Sequence, residues 1–339
     1  MKNLALFLVA SAALAQSWQP AVTNARFETR AYSGNLSTEI QAASPTWFGY
    51  AVKSVRNDNE NCCWNGSSGC WLEKENYHGT VTGSPARPVQ LEGSDAIAVL
   101  FRVENNAVEK VHVFSLSCPL DAGGLSFVWL TGVPPHASLE FLQKLAMDQA
   151  DRKGDGAIFA IAQHDGAEAD TVLDRLTQPA QPEKIREKTA FWLGASRGAG
   201  GAATLKSMLA NDPSEHVRDK VVFALSISKQ PEALDALIQA AKSDLSAHVR
   251  GQALFWLAQK AGKRAAATIT GAIENDPNTE VKKKAIFALS QLPKDEGVPK
   301  LIEVARNQKN PEVRKQAFFW LGQSQDPRAL AFIQDVLTK

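Results

Sequence analysis

The stretch FWLGAS (Phe191–Ser196) returns along the chain as FALSIS (Phe223–Ser228), FWLAQK (Phe255–Lys260), FALSQL (Phe287–Leu292) and FWLGQS (Phe319–Ser324). Consecutive copies lie 32 residues apart, and a further step back lands on Phe159 in IFAIAQ, a degenerate first copy. Around each phrase other columns keep the same period. An apolar residue followed by a cation recurs at Ile185-Arg186, Val217-Arg218, Val249-Arg250, Val281-Lys282 and Val313-Arg314. Two residues after each Phe comes Ile161, Leu193, Leu225, Leu257, Leu289 or Leu321.

Within one copy, Val217, Val221, Ala224 and Leu225 follow the i, i+4, i+7, i+8 spacing of an amphipathic helix. A second apolar column runs Leu173, Leu205, Leu237, Ile269, Leu301 and Ile333, and Pro231 stands at the start of its segment where a missing N–H is tolerated. Asp212-Pro213 and Asp276-Pro277 mark turns between copies. Each unit therefore reads as helix, turn, helix. A supersecondary unit repeated at this period stacks into a solenoid.

One column alternates: Ala160, Trp192, Ala224, Trp256, Ala288, Trp320. On a buried stripe, Trp in every layer would overfill the space between repeats and Ala in every layer would leave voids. Either error costs about 1–5 kcal/mol per site. The expectation is that Trp192, Trp256 and Trp320, with Phe191, Phe223, Phe255, Phe287 and Phe319, form the core of the repeats. A ligand-binding tryptophan ladder is the competing reading of the same column.

The phrases VRDKVVFALS, EVRKQAFFWLG and EVKKKAIFALS resemble HEAT repeats of the short, phycobilisome-lyase type, over about Ala137 to Lys339. The resemblance implies a right-handed α-solenoid of about six helix pairs with a face for binding other macromolecules. It implies a structural role for the Arg/Lys column rather than a nucleic-acid stripe. A bilin lyase also carries this repeat type, but an exported chain does not meet phycobilisomes. Deoxyhypusine hydroxylase, a related repeat protein, holds iron through His-Glu dyads. No His-Glu dipeptide occurs here, so that chemistry does not carry over.

Before Pro134-Pro135 the pattern changes. AIAVLFRV (Ala96–Val103) and VEKVHVF (Val108–Phe114) read as strands around an Asn-containing turn, with further strands at Pro45–Val52, Pro88–Gly93 and Leu125–Leu130. The reading is a small, mostly antiparallel β-rich domain over residues 16–135, then the solenoid over 136–339, in an α+β multidomain chain that is mainly α. Residues 1–15, MKNLALFLVASAALA, have the charged start, apolar run and small-residue end of a secretory signal peptide. No later segment reaches the roughly eighteen apolar residues of a membrane span. The expected location is periplasmic or extracellular.

Four cysteines, Cys62, Cys63, Cys70 and Cys118, fall in the first domain. An even count in an exported chain favours two disulfides, with adjacent Cys62 and Cys63 each pairing elsewhere. A zinc site using these cysteines with His78 or His112 is the sharper alternative, and the spacing lacks paired C-x₂-C geometry. The net charge of +1 hides an asymmetry. Residues 16–180 carry 12 Lys and Arg against 19 Asp and Glu, net −7, and residues 181–339 carry 24 against 17, net +7.

Catalytic patterns are weak. GASRG (Gly194–Gly198) fits G-x-S-x-G, but a nucleophile elbow needs a strand before its Ser, and the register makes Ser196 a turn between helices. His216 and His248 occupy one repeat position as helix starts, and metal binding there would need further ligands. The expectation is no catalytic, cofactor or metal site, and a protein partner held on the second helices, with no nucleic acid and no membrane span. The alternative is ligand binding or enzymatic activity in the β-rich domain, built around Trp64, Trp71, Asp121 and His112, with the solenoid as a docking arm.

Overall fold

The computed structural model describes residues 19–55, 62, 70–73, 95–148 and 152–338. Two compact units, Met1–Ala137 and Ser138–Lys339, divide the chain. The leader expected at residues 1–15, the strand expected at Pro88–Gly93, and Cys63, Trp64 and His78 lie outside the described residues.

In the first unit the strands are β1 (Val22–Thr23), β2 (Arg26–Ala31), β3 (Thr46–Lys53), β4 (Cys70–Trp71), β5 (Ala96–Glu104), β6 (Ala107–Ser115), β7 (Leu120–Asp121) and β8 (Ser126–Thr131), with a short helix α1 (Leu36–Glu39). Five form one sheet in the order β2-β8-β3-β5-β6, and β1-β7-β4 form a smaller one. The β5–β6 hairpin turns through Asn105 and Asn106, both at positive φ, which Asn tolerates and which a two-residue hairpin requires.

The sheet is mixed rather than mostly antiparallel. β8 enters between β2 and β3 and runs parallel to both, and the three short strands also pair in parallel. The sequence of β8, SFVWLT, is a nearly continuous apolar run, as suits a strand paired on both edges and buried on both faces. Gly49 of β3 leaves room for Leu100 and Trp129, whose side chains a Cβ there would strike. Trp47, Leu100, Phe127 and Trp129 join Cys70, Cys118 and Leu120 in one buried cluster. Cys62 and Cys118 are bonded, with Cα atoms 5.5 Å apart.

The second unit begins with most of α2 (Pro135–Asp148), followed by six helix pairs: α3 (Arg152–Gln163) with α4 (Ala167–Leu176), α5 (Glu183–Ser196) with α6 (Gly198–Asn211), α7 (Glu215–Ile227) with α8 (Pro231–Ser243), α9 (Ala247–Ala261) with α10 (Ala266–Asn275), α11 (Thr279–Ser290) with α12 (Lys294–Asn307), and α13 (Pro311–Gln323) with α14 (Pro327–Leu337). The first helix of each pair packs on the first helices of its neighbours, and the Leu columns at both helices are buried. Gly194 brings α5 against α7 so closely that a Cβ would collide with the Ala224 carbonyl oxygen.

The turns between pairs are set by one recurring device. Ser214, Ser246, Asn278 and Asn310 cap successive first helices, each side chain accepting from backbone N–H groups of the first turn. Two residues earlier, Asp212, Asp244 and Asp276 each accept the N–H of the cap residue. The same carboxylates receive Arg186, Arg218 and Arg250 in two-pronged pairs. The Arg186–Asp212 pair is almost wholly buried, at 4% and 1% side-chain exposure. At the next level both partners change together. Lys282 donates to the Glu274 carbonyl, and Gln308 accepts the Asn310 N–H while donating to the Ile273 carbonyl. The cation column is a structural ladder.

Candidate interaction surface

The alternating column does not sit where the sequence places it. Ala160, Ala224 and Ala288 have no exposure, but Trp192, Trp256 and Trp320 are only half-buried, and Phe191 and Phe319 are 37% and 54% exposed. The reason lies in side-chain reach. Each Trp starts at the buried stripe, yet its ring lies against the Phe of the preceding repeat: Trp192 on Phe159 at 4.2 Å, Trp256 on Phe223 at 5.0 Å and Trp320 on Phe287 at 4.9 Å between ring centres. Phe191 and Phe255 in turn stack on Phe223 and Phe287 at 6.2 and 5.8 Å. With Phe–Trp contacts inside α5, α9 and α13, the rings form one unbroken row from Phe159 to Phe319.

The row has a period of two repeats. A Trp step adds a ring beside the preceding Phe, and Ala at the alternate level leaves that volume free. The fully buried core is instead the Leu, Val and Ala columns.

Polar groups around the row follow the same register. Trp192 Nε1 lies 3.5 Å from Asp155 Oδ1. The residue matching Asp155 two repeats on is Asp219, and two further on it is Lys283, which offers no acceptor. Trp320 Nε1 is accordingly buried without a hydrogen-bond partner. His216 pairs with Glu187 at 3.3 Å and His248 with Asp219 at 3.4 Å, linking neighbouring first helices on the exposed side. Arg197 and Lys260 reach back to the carbonyl ends of α3 and α7, where a cation meets the negative end of the helix dipole.

The second helices, where the sequence places the partner, carry grooves of mixed character, one of which includes the exposed Leu245. One of 550 Å³ runs between α4 and α6 beside Asp174, Thr204 and Asn211, and one of 530 Å³ between α8 and α10 beside Lys242, Thr268 and Asn275.

Ser196 ends α5 and accepts from Gln163 Nε2 at 2.9 Å, as an inter-helix turn rather than an elbow. A buried Ser–His pair, missed in the sequence, lies elsewhere. Ser138 Oγ is 2.8 Å from His164 Nε2, and His164 Nδ1 is 2.7 Å from the Ala160 carbonyl oxygen. A carbonyl only accepts, so Nδ1 carries the proton and Ser138 donates to Nε2. Burial, and secondarily nearby Arg197, lowers the His164 pKa to about 4. Both residues are at most 1% exposed, so substrate has no way to reach the pair.

In the β-rich unit the polar convergence is around Glu73, which accepts from Trp47 Nε1 at 2.8 Å and from Arg102 Nε at 3.0 Å. Arg102 also reaches Glu104. His112, with its ring 5.7 Å from that of Trp47, has its pKa lowered to about 4, mainly by burial. Asp121 belongs to the smaller sheet and accepts from Asn24 and from the Gly123 N–H. Among the described residues no group of three or more His, Cys, Asp and Glu is placed to hold a metal ion, and no helix is long and apolar enough to cross a membrane.

Residues 169–258 and 266–339, which run from within α4 to the end of α14, match the model for HEAT repeats. No curated protein matches the chain. Among solved structures, the complex of CpcE and CpcF of phycocyanin lyase from Nostoc is 22% identical, covering 46% of this chain and 99% of that one, with a TM-score of 0.35. Human deoxyhypusine hydroxylase is 20% identical over 60% of this chain and 78% of its own, with a TM-score of 0.27. Kap95p, in its complex with RanGDP, is 18% identical over 60% and 32%, with a TM-score of 0.40. Likenesses this distant leave the repeat match as the basis of the assignment.

Proposed function

From a HEAT-repeat stack bearing an aromatic row on its first helices, we propose a non-catalytic scaffold that holds a protein partner along that row. The observation that carries this reading is the unbroken chain of rings from Phe159 to Phe319, with Phe191 and Phe319 well exposed. Exposed aromatic area binds strongly when a partner excludes water from it, and rigid rings lose little freedom in doing so. The scaffold acts outside the cytoplasm. The leader-like MKNLALFLVASAALA and the Cys62–Cys118 bond support that location, since disulfides persist in oxidising compartments.

The test is capture of proteins from a periplasmic or culture extract by the full chain and by a Phe191→Ser/Phe319→Ser variant. Phe319 is more than half exposed, and Phe191 keeps part of its ring against Trp192 and Phe223, so the variant should stay folded and melt within about 10 °C of the parent. The reading expects the captured protein to be lost from the variant. Equal capture by both would overturn it.

A further inference from the structure

Along the aromatic row, the last three first helices differ from the others in two ways that coincide. On α9, α11 and α13 each Phe is followed four residues later by an exposed Gln: Phe255 and Gln259, Phe287 and Gln291, Phe319 and Gln323. Residues four apart lie on one face of a helix, so each carboxamide stands beside its ring. Gln259 Nε2 comes within 3.5 Å of Gln291 Oε1, which makes the carboxamides a row of their own, parallel to the rings. At the same position α3 has Gln163, which is buried and donates to Ser196, and α5 and α7 have Ala195 and Ile227.

Charge changes at the same boundary. Helices α9, α11 and α13 together carry seven Lys and Arg against two Glu, whereas α5 carries three against two and α7 two against two. Arg250, Lys260, Lys282 and Arg314 are engaged in structural contacts, which leaves Lys283, Lys284 and Lys315. A pocket of 260 Å³ at the C-terminal ends of α11 and α13 and the start of α12 is lined by Gln291, Gln323 and Trp320 over Leu289, Leu292 and Val298, with Lys294 among its walls. That volume is below the range usual for whole small-molecule ligands and suits a single side chain.

We infer that α9, α11 and α13 hold an extended, acidic segment of the protein partner, lying across the helices with one apolar side chain in the pocket beside Trp320. This rests on the reading of the first helices as the binding layer. A carboxamide carries both a donor and an acceptor, and so matches the N–H and C=O of a peptide bond. Helices pack about 8–10 Å apart and an extended chain advances about 3.3 Å per residue, so each helix meets about three residues. The rings lie beneath the side chains that point down, and Lys284 and Lys315 supply the charge that an acidic segment meets, Lys283 being paired with Glu280.

The probe is a fluorescein-labelled peptide of about nine residues built from Glu, Gly and Leu, that length following from the helix spacing and the rise per residue. A copy with Lys for Glu and a Leu-free copy are the controls. Fluorescence anisotropy with the full chain should show binding of the acidic, Leu-bearing peptide, weakening as salt is raised, with both controls at least about tenfold weaker. Gln291→Ala/Gln323→Ala should reduce its affinity by about tenfold with the melting temperature unchanged, since both residues are exposed. Lys206→Ala, an exposed change on α6, should not alter it. Equal binding of acidic and basic peptides, no binding, or indifference to the Gln substitutions would overturn the inference. If the protein partner is still lost from Phe191→Ser/Phe319→Ser while the peptide results go against it, the binding layer stands and only the acidic segment fails.

Discussion

Replacing Asp212 by Ala should be among the most damaging single changes in the repeat unit. Asp212 receives Arg186 Nε at 2.7 Å and Nη2 at 3.1 Å, and it also accepts the Ser214 N–H at 2.9 Å. Arg186 keeps the Pro179 and Gln181 carbonyls through Nη1, but two of its charged donors would remain buried without an acceptor. Breaking a buried pair by removing one partner costs about 3–5 kcal/mol. For a unit of this size that lowers the melting temperature by roughly 10 °C. The chain itself offers the control, because Lys282 and Gln308 replace Arg and Asp together one level on. Arg186→Lys/Asp212→Gln should therefore recover at least half of the loss caused by Asp212→Gln alone. Urea and thermal denaturation of the parent, the single changes Arg186→Lys and Asp212→Gln, and the double change give the coupling directly. A loss under about 1 kcal/mol for Asp212→Ala, or a double change no better than the sum of the singles, would refute the ladder argument.

His164 makes stability depend on pH. Its folded-state pKa of about 4 lies below the ordinary 6.5, so the unfolded chain takes up the proton first as pH falls. Stability is full above pH 6.5 and declines between 6.5 and about 4, by on the order of 3 kcal/mol. His164→Gln should flatten that limb in denaturant titrations at pH 7 and pH 5, and an unchanged slope would remove His164 from the account. Gly194→Ala should destabilise by about 1–3 kcal/mol, because the added methyl meets the α7 backbone. Trp320→Phe should be near neutral in thermal melts, since the indole N–H that it removes has no acceptor.

The solenoid was legible because its period is long, its turns are marked by Asp-Pro and its Leu columns alternate with solvated residues. The repeat register marks the Arg column as structural, and the carboxylates 26 residues later that receive it show why. The aromatic column was misplaced for a physical reason. Helical periodicity locates a Cβ, and Trp has enough reach to start on a buried stripe and finish at the surface beside the previous repeat. In the β-rich unit the strands were visible as apolar runs, but pairing order was not. Nothing local to SFVWLT tells it to enter between β2 and β3. Glu73 was likewise invisible as a hub, because Trp47 and Arg102 reach it from 26 and 29 residues away.

The central claim, that partners dock on the first helices, is tested most directly by position-specific crosslinking. A photoreactive phenylalanine analogue in place of Phe319 on α13, and in a second protein in place of the exposed Gln239 on α8, samples the two layers of helices. With the captured partner present, irradiation should give a covalent adduct from position 319 and none from position 239. An adduct from 239 alone would place the partner on the second helices and contradict the account.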